Sequence, residues 1–307
     1  MRNTFAECLT KLQENRKDLL LIYGDIGNKL FDQYKANIDS KYVNAGVAEA
    51  SMISIAAGAA KGGLTPIVYT INSFLYLKSI EQIKLDIAYP ELPVIMVGTG
   101  GGFSYSELGT THHSLEDLGM LSTIPNLIIL NPGDNVEMAA ALSWAIESQK
   151  PTYIRIGKKG EKNIHTAELK TEKKNFGPFQ IINHKDATKT ILTTGTISYE
   201  ALQAANDFNR SDLIDFWSVP QIKEISNEFI TTKLSKYSKI FVIEEHNPYG
   251  GLGSIISYAI NASKSIKPEI SFINTKDMFH TGAGSMNNVR EKLGITSNRI
   301  LESIRKN

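Results

Sequence analysis

Five residues in this chain have side chains and settings that could do chemistry. Asn44-Ala45-Gly46-Val47-Ala48-Glu49-Ala50 feeds one carboxylate through a glycine turn into Ser51 to Ala60, a run of small residues without charge. That run reads as a buried helix, so Glu49 is expected alone near the start of an apolar segment. A carboxylate there is costly unless satisfied, and a raised proton affinity would let it hold or share a proton. A plain helix-start acid favoured by the helix dipole is the competing reading. Asp25 lies in Gly24-Asp25-Ile26-Gly27, where the chain turns at the carboxyl edge of a strand. Open α/β sheets bind ligands at that edge, although a turn or cap aspartate would look the same. His112 and His113 close a long glycine-rich loop that begins at Thr99. Adjacent histidines rarely share one ion and no third ligand has suitable spacing, so a hydrogen-bonding or proton-shuttling histidine fits better than a metal ligand. Arg155 interrupts the apolar strand Pro151 to Gly157. A buried arginine needs an anionic partner, either a phosphate or a carboxylate of the same chain.

The elements that must position these groups alternate in type. Helical spacing covers Arg2 to Asn15, followed by strands over Leu19 to Tyr23, Tyr42 to Ala45, Thr65 to Thr70, Pro93 to Gly98, Leu127 to Leu130 and Pro151 to Gly157. Helices are expected over Ser51 to Ala60, from Ser73, from Ser114 and over Asn135 to Glu147. Phe74 stands at a strand-to-helix junction on the same edge as Asp25 and Glu49, with Tyr76 beside it. Residues 161–187 turn polar and lysine-rich and read as a linker, with room for an edge hairpin. A second βα series follows: strands at 189–194, 213–219 and 239–245, helices at 197–208 and 221–235, and a helix from Leu252. The fold class is therefore α/β, two domains at 1–160 and 188–307, each a mostly parallel sheet flanked by helices. Glu244 to Ser254 (EEHNPYGGLGS) has the glycines of a phosphate cradle, but its acids disfavour an anion. His246 within it reads as structural.

Composition bounds the rest. The 307 residues are 42% hydrophobic and carry a net charge of +1 without a basic block, which points away from nucleic acid and membrane surfaces. No apolar run approaches the roughly 18 residues that span a bilayer, and no apolar leader opens the chain. The single cysteine, Cys8, excludes an internal disulfide framework and suits a reducing, cytoplasmic setting.

From Gly24 onward the sequence resembles the C-terminal half of a transketolase in its split, two-polypeptide form. The resemblance rests on the order and spacing of GDIGN, NAGVAEA, SFLYLKSIEQI, LGTTHHSLED, LNPGDNVE and PTYIRIGK, then TTGT, VIEEHNPYGGLGS and DMFHTGAG. It implies a pyrimidine-binding domain followed by a transketolase C-terminal domain. Glu49 matches the glutamate that hydrogen-bonds N1′ of the aminopyrimidine of thiamine diphosphate, which suits a buried carboxylate of elevated proton affinity. Phe74 matches an aromatic against the pyrimidine ring, with Tyr76 or Leu77 as the neighbouring wall, and Asp25 an acid at the cofactor-facing turn. His112 matches a histidine on the donor hydroxyls, Arg155 an arginine on the sugar phosphate, and Arg2 a second phosphate arginine. The sequence departs from the family at Gly100 (usually histidine), Leu108 (aspartate), Lys29 (serine, on the phosphate) and His113 (glutamine). The substrates expected are therefore not the ordinary pentose phosphates.

The family holds the diphosphate through Mg²⁺ with a Gly-Asp-Gly segment, and Gly133-Asp134-Asn135 lacks the second glycine and falls in the other domain. The resemblance thus implies no metal ligands here, an N-terminal partner subunit that supplies them, and an α₂β₂ assembly. The activity implied is transfer of a two-carbon ketol unit. The alternatives are a β-type subunit of a 2-oxo acid dehydrogenase, a deoxyxylulose phosphate synthase-like enzyme, and a non-catalytic regulatory subunit.

Overall fold

The computed structural model describes residues 1–27, 29–37, 39–171, 175–263, 267–281 and 284–306. Asn28 of GDIGN, Gly282 and Ala283 of DMFHTGAG and part of the lysine-rich linker lie outside the described residues.

The first domain runs α1 (Arg2–Leu12), β1 (Leu19–Tyr23), α2 (Asp32–Lys35), β2 (Tyr42–Asn44), α3 (Glu49–Lys61), β3 (Thr65–Ile71), α4 (Asn72–Gln82), β4 (Ile95–Thr99), α5 (Asp117–Ser122), β5 (Ile128–Leu130), α6 (Asn135–Ser148) and β6 (Thr152–Ile156). Its six strands lie in the order β2-β1-β3-β4-β6-β5, all parallel. The central strands bury both faces, which is why they read as continuous apolar runs rather than alternating ones. One face packs Met52, Ile53 and Ala56 of α3 and Leu75 and Tyr76 of α4. The other packs Phe5 and Leu9 of α1 against Met138 and Leu142 of α6. Small residues along α3 give it a close seat on β3.

The second domain runs β7 (Phe179–Ile182), β8 (Lys189–Thr194), α7 (Ser198–Phe208), β9 (Asp215–Ser218), β10 (Lys239–Glu244), α8 (Leu252–Ser263), β11 (Glu269–Ile273), α9 (Met286–Leu293) and α10 (Ser297–Lys306). Its order is β11-β10-β8-β9-β7, parallel except for β7, which pairs antiparallel with β9. Strand β7 falls inside the expected linker and forms a sheet edge, not a hairpin. The core around β8 and β10 gathers Ile191, Phe241 and Ile243 with Ala201 and Ala205 of α7.

Two expected helices differ in position. Residues 221–235 are irregular up to a short π-helical turn at Phe229–Lys233. Here the backbone is spent across the domain boundary: Ile222 N–H donates to Ile129 O at 3.0 Å, and Gln221 bridges Leu130. Tertiary backbone pairing overrides helix propensity there. The helix expected from Ser114 begins at Asp117, because Ser114 exchanges backbone bonds with Gly102 at 2.9 and 3.1 Å. No helix among the described residues is long and apolar enough to cross a membrane.

Candidate active site

The parallel sheet of the first domain carries its candidate residues at the ends of β1, β2, β3 and β4, on one carboxyl edge. Glu49 opens α3 with its side chain 2% exposed. Its Oε2 lies 3.2 Å from Lys78 Nζ. Lys78 comes from α4, one turn after Phe74, and its ammonium also stands 4.4 Å from the Phe74 ring centroid. Immediately after it α4 kinks at Ser79 (φ −134°, ψ 20°), whose hydroxyl donates back to Leu75 O. Such back-bonding from serine competes with the helix ladder and bends it.

Phe74 links this pair to the loop. Its ring meets His112 edge-on at 5.1 Å, and His112 in turn meets Tyr105 at 6.0 Å. Glu49, Lys78, Phe74, His112 and Tyr105 thus form one continuous row. His112 ends a 3₁₀ turn, Thr110–His112, with Nδ1 2.9 Å from the Thr111 hydroxyl. Partial burial pushes its imidazole below the usual histidine range, so it is neutral near pH 7. His113 is buried against Phe103, its ring also pushed down chiefly by burial. It lies behind the loop rather than on the edge.

The remaining expected residues divide. Asp25 sits at φ 52° in the turn after β1, exposed, and Asn44 locks it there. Asn44 Nδ2 donates to Asp25 Oδ1 at 3.1 Å while Asn44 Oδ1 accepts from the Asp25 and Gly46 N–H groups. The turn and site readings of Asp25 are therefore both compatible with its place. Arg2 and Lys29 line one cavity of about 390 Å³ beneath this turn. The Arg2 cation also faces the Tyr105 hydroxyl. Leu77, three residues after Phe74, is 56% exposed. Tyr76 is not, which is a first correction: it is buried, and its hydroxyl donates to Glu116 Oε2 at 2.9 Å inside the core. Residues two apart on a helix face different ways, which separates Tyr76 from Phe74.

Arg155 is the second correction. It is 4% exposed and spends its guanidinium on this chain, donating to Ser114 O at 2.8 Å and Glu245 O at 2.9 Å, with Asp117 Oδ2 3.4 Å from Nε. The backbone of Gly101 covers it so closely that a Cβ there would stand 2.4 Å from Arg155 Nε. The carboxylate partner, not the phosphate, is the one the structure supplies. Asp117 is the hub of this network, bonded also by Asn72 Nδ2 at 2.8 Å and the Tyr153 hydroxyl at 2.5 Å.

Several residues at the site were not singled out from the sequence. Lys78 was visible in principle, four residues after Phe74 and so on the same helical face. Tyr105 fills the space over Gly100, where an added Cβ would lie 2.2 Å from its ring. Glu245, at the end of β10, accepts from Phe103 N–H at 2.7 Å and pairs with Arg290 at 2.5 Å, so the second domain holds the loop that carries His112. His246 is buried, pushed down to about 4 by burial, and accepts the Gly119 N–H at 3.2 Å, a structural role. Among the described residues no group of three or more His, Cys, Asp or Glu side chains is placed to hold a metal ion.

A buried carboxylate, an aromatic face and a neutral histidine thus stand together on one edge of a parallel sheet that a second α/β domain adjoins. Residues 1–160 match the model of the transketolase pyrimidine-binding domain and residues 181–300 that of the transketolase C-terminal domain, and the chain belongs to the transketolase family as its C-terminal half. It is 28% identical over 263 residues to an apulose-4-phosphate transketolase subunit of Phocaeicola vulgatus, covering 83% of this chain and 81% of that one. It is 24% identical over 305 residues to the 6-deoxy-6-sulfo-D-fructose transketolase subunit SqwH of a Clostridium species, covering 99% and 92%. Among solved structures it matches a split gene transketolase, described as an inactive β4 tetramer, with a TM-score of 0.88 and 25% identity over 99% of this chain and 97% of that one.

Proposed function

We propose that this chain forms the pyrimidine side of a thiamine diphosphate site that moves a two-carbon ketol unit from a ketose donor to an aldehyde acceptor. It acts on sugars other than the ordinary pentose phosphates, together with an N-terminal subunit that brings the diphosphate and Mg²⁺ ligands, in an α₂β₂ assembly in the cytoplasm. The observation that carries this reading is the row formed by Glu49, Phe74 and His112 on one edge.

The residues fit the coenzyme's pyrimidine. Glu49 offers a carboxylate in a buried setting, and Phe74 with Leu77 offers an aromatic and an apolar wall. Bound there, thiamine diphosphate supplies the electron sink for breaking and remaking a carbon–carbon bond. The chain's own part is proton placement and orientation. Glu49 would share a proton with a ring nitrogen of the bound coenzyme once Lys78 had swung aside. Neutral His112 accepts or donates a hydrogen bond at a substrate hydroxyl, and the Thr111 hydroxyl holds its Nδ1. Arg2 and Lys29 contribute positive charge at the rim, while Asp25 borders the same turn.

Two lines support the partner and the substrate class. The relatives are named as transketolase subunits or as a split gene product, and this chain has no Gly-Asp-Gly segment for the metal. Their named sugars, apulose 4-phosphate and sulfofructose, are not pentose phosphates of the ordinary kind. The test is co-purification with an N-terminal transketolase chain, followed by a donor and acceptor screen. Ketol transfer that needs both chains is expected. Release of CO₂ from pyruvate would establish the decarboxylating alternative instead, and full transfer rates with xylulose and ribose phosphates would overturn the substrate reading.

A further inference from the structure

Two histidines from different domains close on one phenyl ring behind the edge. His113 ends the glycine-rich loop, and His280 lies in the stretch between β11 and α9. The Phe103 ring, fully buried within the loop, meets His113 edge-on at 5.0 Å and His280 edge-on at 5.1 Å. Thr110, two residues before His112, donates from its Oγ1 to the His280 carbonyl at 3.3 Å. The second domain therefore grips the loop at His280 as well as at Glu245.

Both imidazoles lack a partner at Nε2. Among the described residues neither of these buried atoms has a hydrogen bond, while the His113 ring bonds the backbone of Ser106 and the His280 ring that of Thr275. Burial pushes both rings below the ordinary histidine value of 6.5, and His280 lowers His113 further. A proton added at either Nε2 makes a buried donor with nothing to receive it.

The surrounding charges do not relieve that cost. Glu116 and Glu245 favour protonation of His113, Glu116 favours that of His280, and Lys276 opposes it. Both carboxylates are already engaged: Glu116 accepts from the Tyr76 hydroxyl and Leu115 N–H, Glu245 from Phe103 N–H and Arg290. One imidazolium gains from the Phe103 π face. A second on the same ring meets the first as a like charge.

We propose that His113 and His280 hold Phe103 as a clasp between the domains, positioning the loop that carries His112, and that uptake of protons by the pair releases it. This rests on the reading of His112 as a residue that touches substrate and adds what keeps it in place. Neither clasp residue meets the reacting atoms. An open loop takes up protons that the closed loop refuses, so closure is favoured above 6.5 and is lost as pH falls below it.

Hydrogen exchange of the full-length chain, corrected for the intrinsic rate at each pH, tests the clasp without turnover. From one unit above 6.5 to two units below it, peptides spanning 103–113 should lose protection about tenfold while those of α6 keep theirs. The His113→Gln, His280→Gln double variant, whose new side chains take up no proton, should lose less than about twofold. In His280→Gln alone the NMR titration midpoint of His113 should rise, a shift that a purely packing role does not produce. In the complex with its partner chain, the double variant should move the acid fall of kcat/KM for ketol transfer to lower pH. Wild-type protection that ignores pH overturns the proposal, as does an equal loss in the double variant or an unmoved His113 midpoint. An acid fall that is the same in the wild-type and double-variant complexes overturns the positioning role. Acid opening of the loop in a chain whose complex transfers no ketol unit counts against the reaction assigned above and leaves the clasp standing.

Discussion

Lys78 lies across Glu49, its Nζ 3.2 Å from the buried carboxylate and 4.4 Å from the Phe74 ring that shares the edge. The ammonium thus stands between the carboxylate and the aromatic face, where the proposed aminopyrimidine would lie. Ligand and lysine would then compete for one acceptor. Lys78→Met removes the partner of a buried charge, and because the lysine is half-exposed the expected loss is about 1 kcal/mol in urea denaturation of the isolated chain. The same variant should bind the coenzyme more tightly in the assembled complex, measured by fluorescence titration.

Glu49→Gln keeps the shape of the site and removes the proton-sharing group. Ketol transfer by the two-chain complex should fall by about 10² to 10⁴ in kcat, while circular dichroism and the melting temperature of the chain stay near wild type. Normal turnover by a complex carrying the Glu49→Gln substitution would remove Glu49 from the chemistry.

The acid stability of the second domain depends on two neighbouring buried groups with opposite behaviour. Burial lowers His246 from 6.5 to about 4, so between those values the unfolded chain takes up a proton that the folded chain refuses, and stability falls as pH drops. Burial raises Glu244 from 4.5 to about 7, so above 4.5 the unfolded chain releases a proton that the folded chain keeps, and stability falls as pH rises. The two slopes oppose each other and the wild-type profile should be shallow between pH 4.5 and 6.5. Glu244→Gln should unmask a stability that climbs with pH over that span. His246→Gln should unmask one that declines, read as urea midpoints at the two ends.

Gly100 has φ 96°, and a Cβ on it would lie 2.2 Å from the Tyr105 ring. Gly100→Ala therefore combines backbone strain with displacement of the tyrosine, at an expected cost of about 1–3 kcal/mol. In a Tyr105→Ala background the steric part should vanish, and a thermal double-mutant cycle reads the difference.

Much of the architecture was legible beforehand because buried parallel strands and their glycine turns leave strong local patterns. Apolar runs such as Leu19 to Tyr23 and the small-residue helix after Glu49 fall where periodicity places them. What periodicity could not show were pairings between distant segments. The stretch after Pro220 gives its backbone bonds to β5, and Ser114 bonds Gly102, so neither forms the helix its residues favour. The site divides in the same way. Glu49, Phe74 and His112 announce themselves by chemical type at strand ends, whereas Arg155 and Tyr76 took their orientation from partners far along the chain, Glu245 and Asp117 for one and Glu116 for the other. Lys78 and Tyr105 were hidden because a lysine or tyrosine in such a segment is ordinarily surface or core.

Glu245 reaches from the tip of β10 to the backbone of Phe103 while its own carbonyl receives Arg155. Removal of the second domain would thus strip an acceptor from a buried amide and another from a buried cation, and the histidine-bearing loop would lose its anchor. The two sheets are accordingly one working part, and a truncation that spares every residue of the row would still yield a dead half.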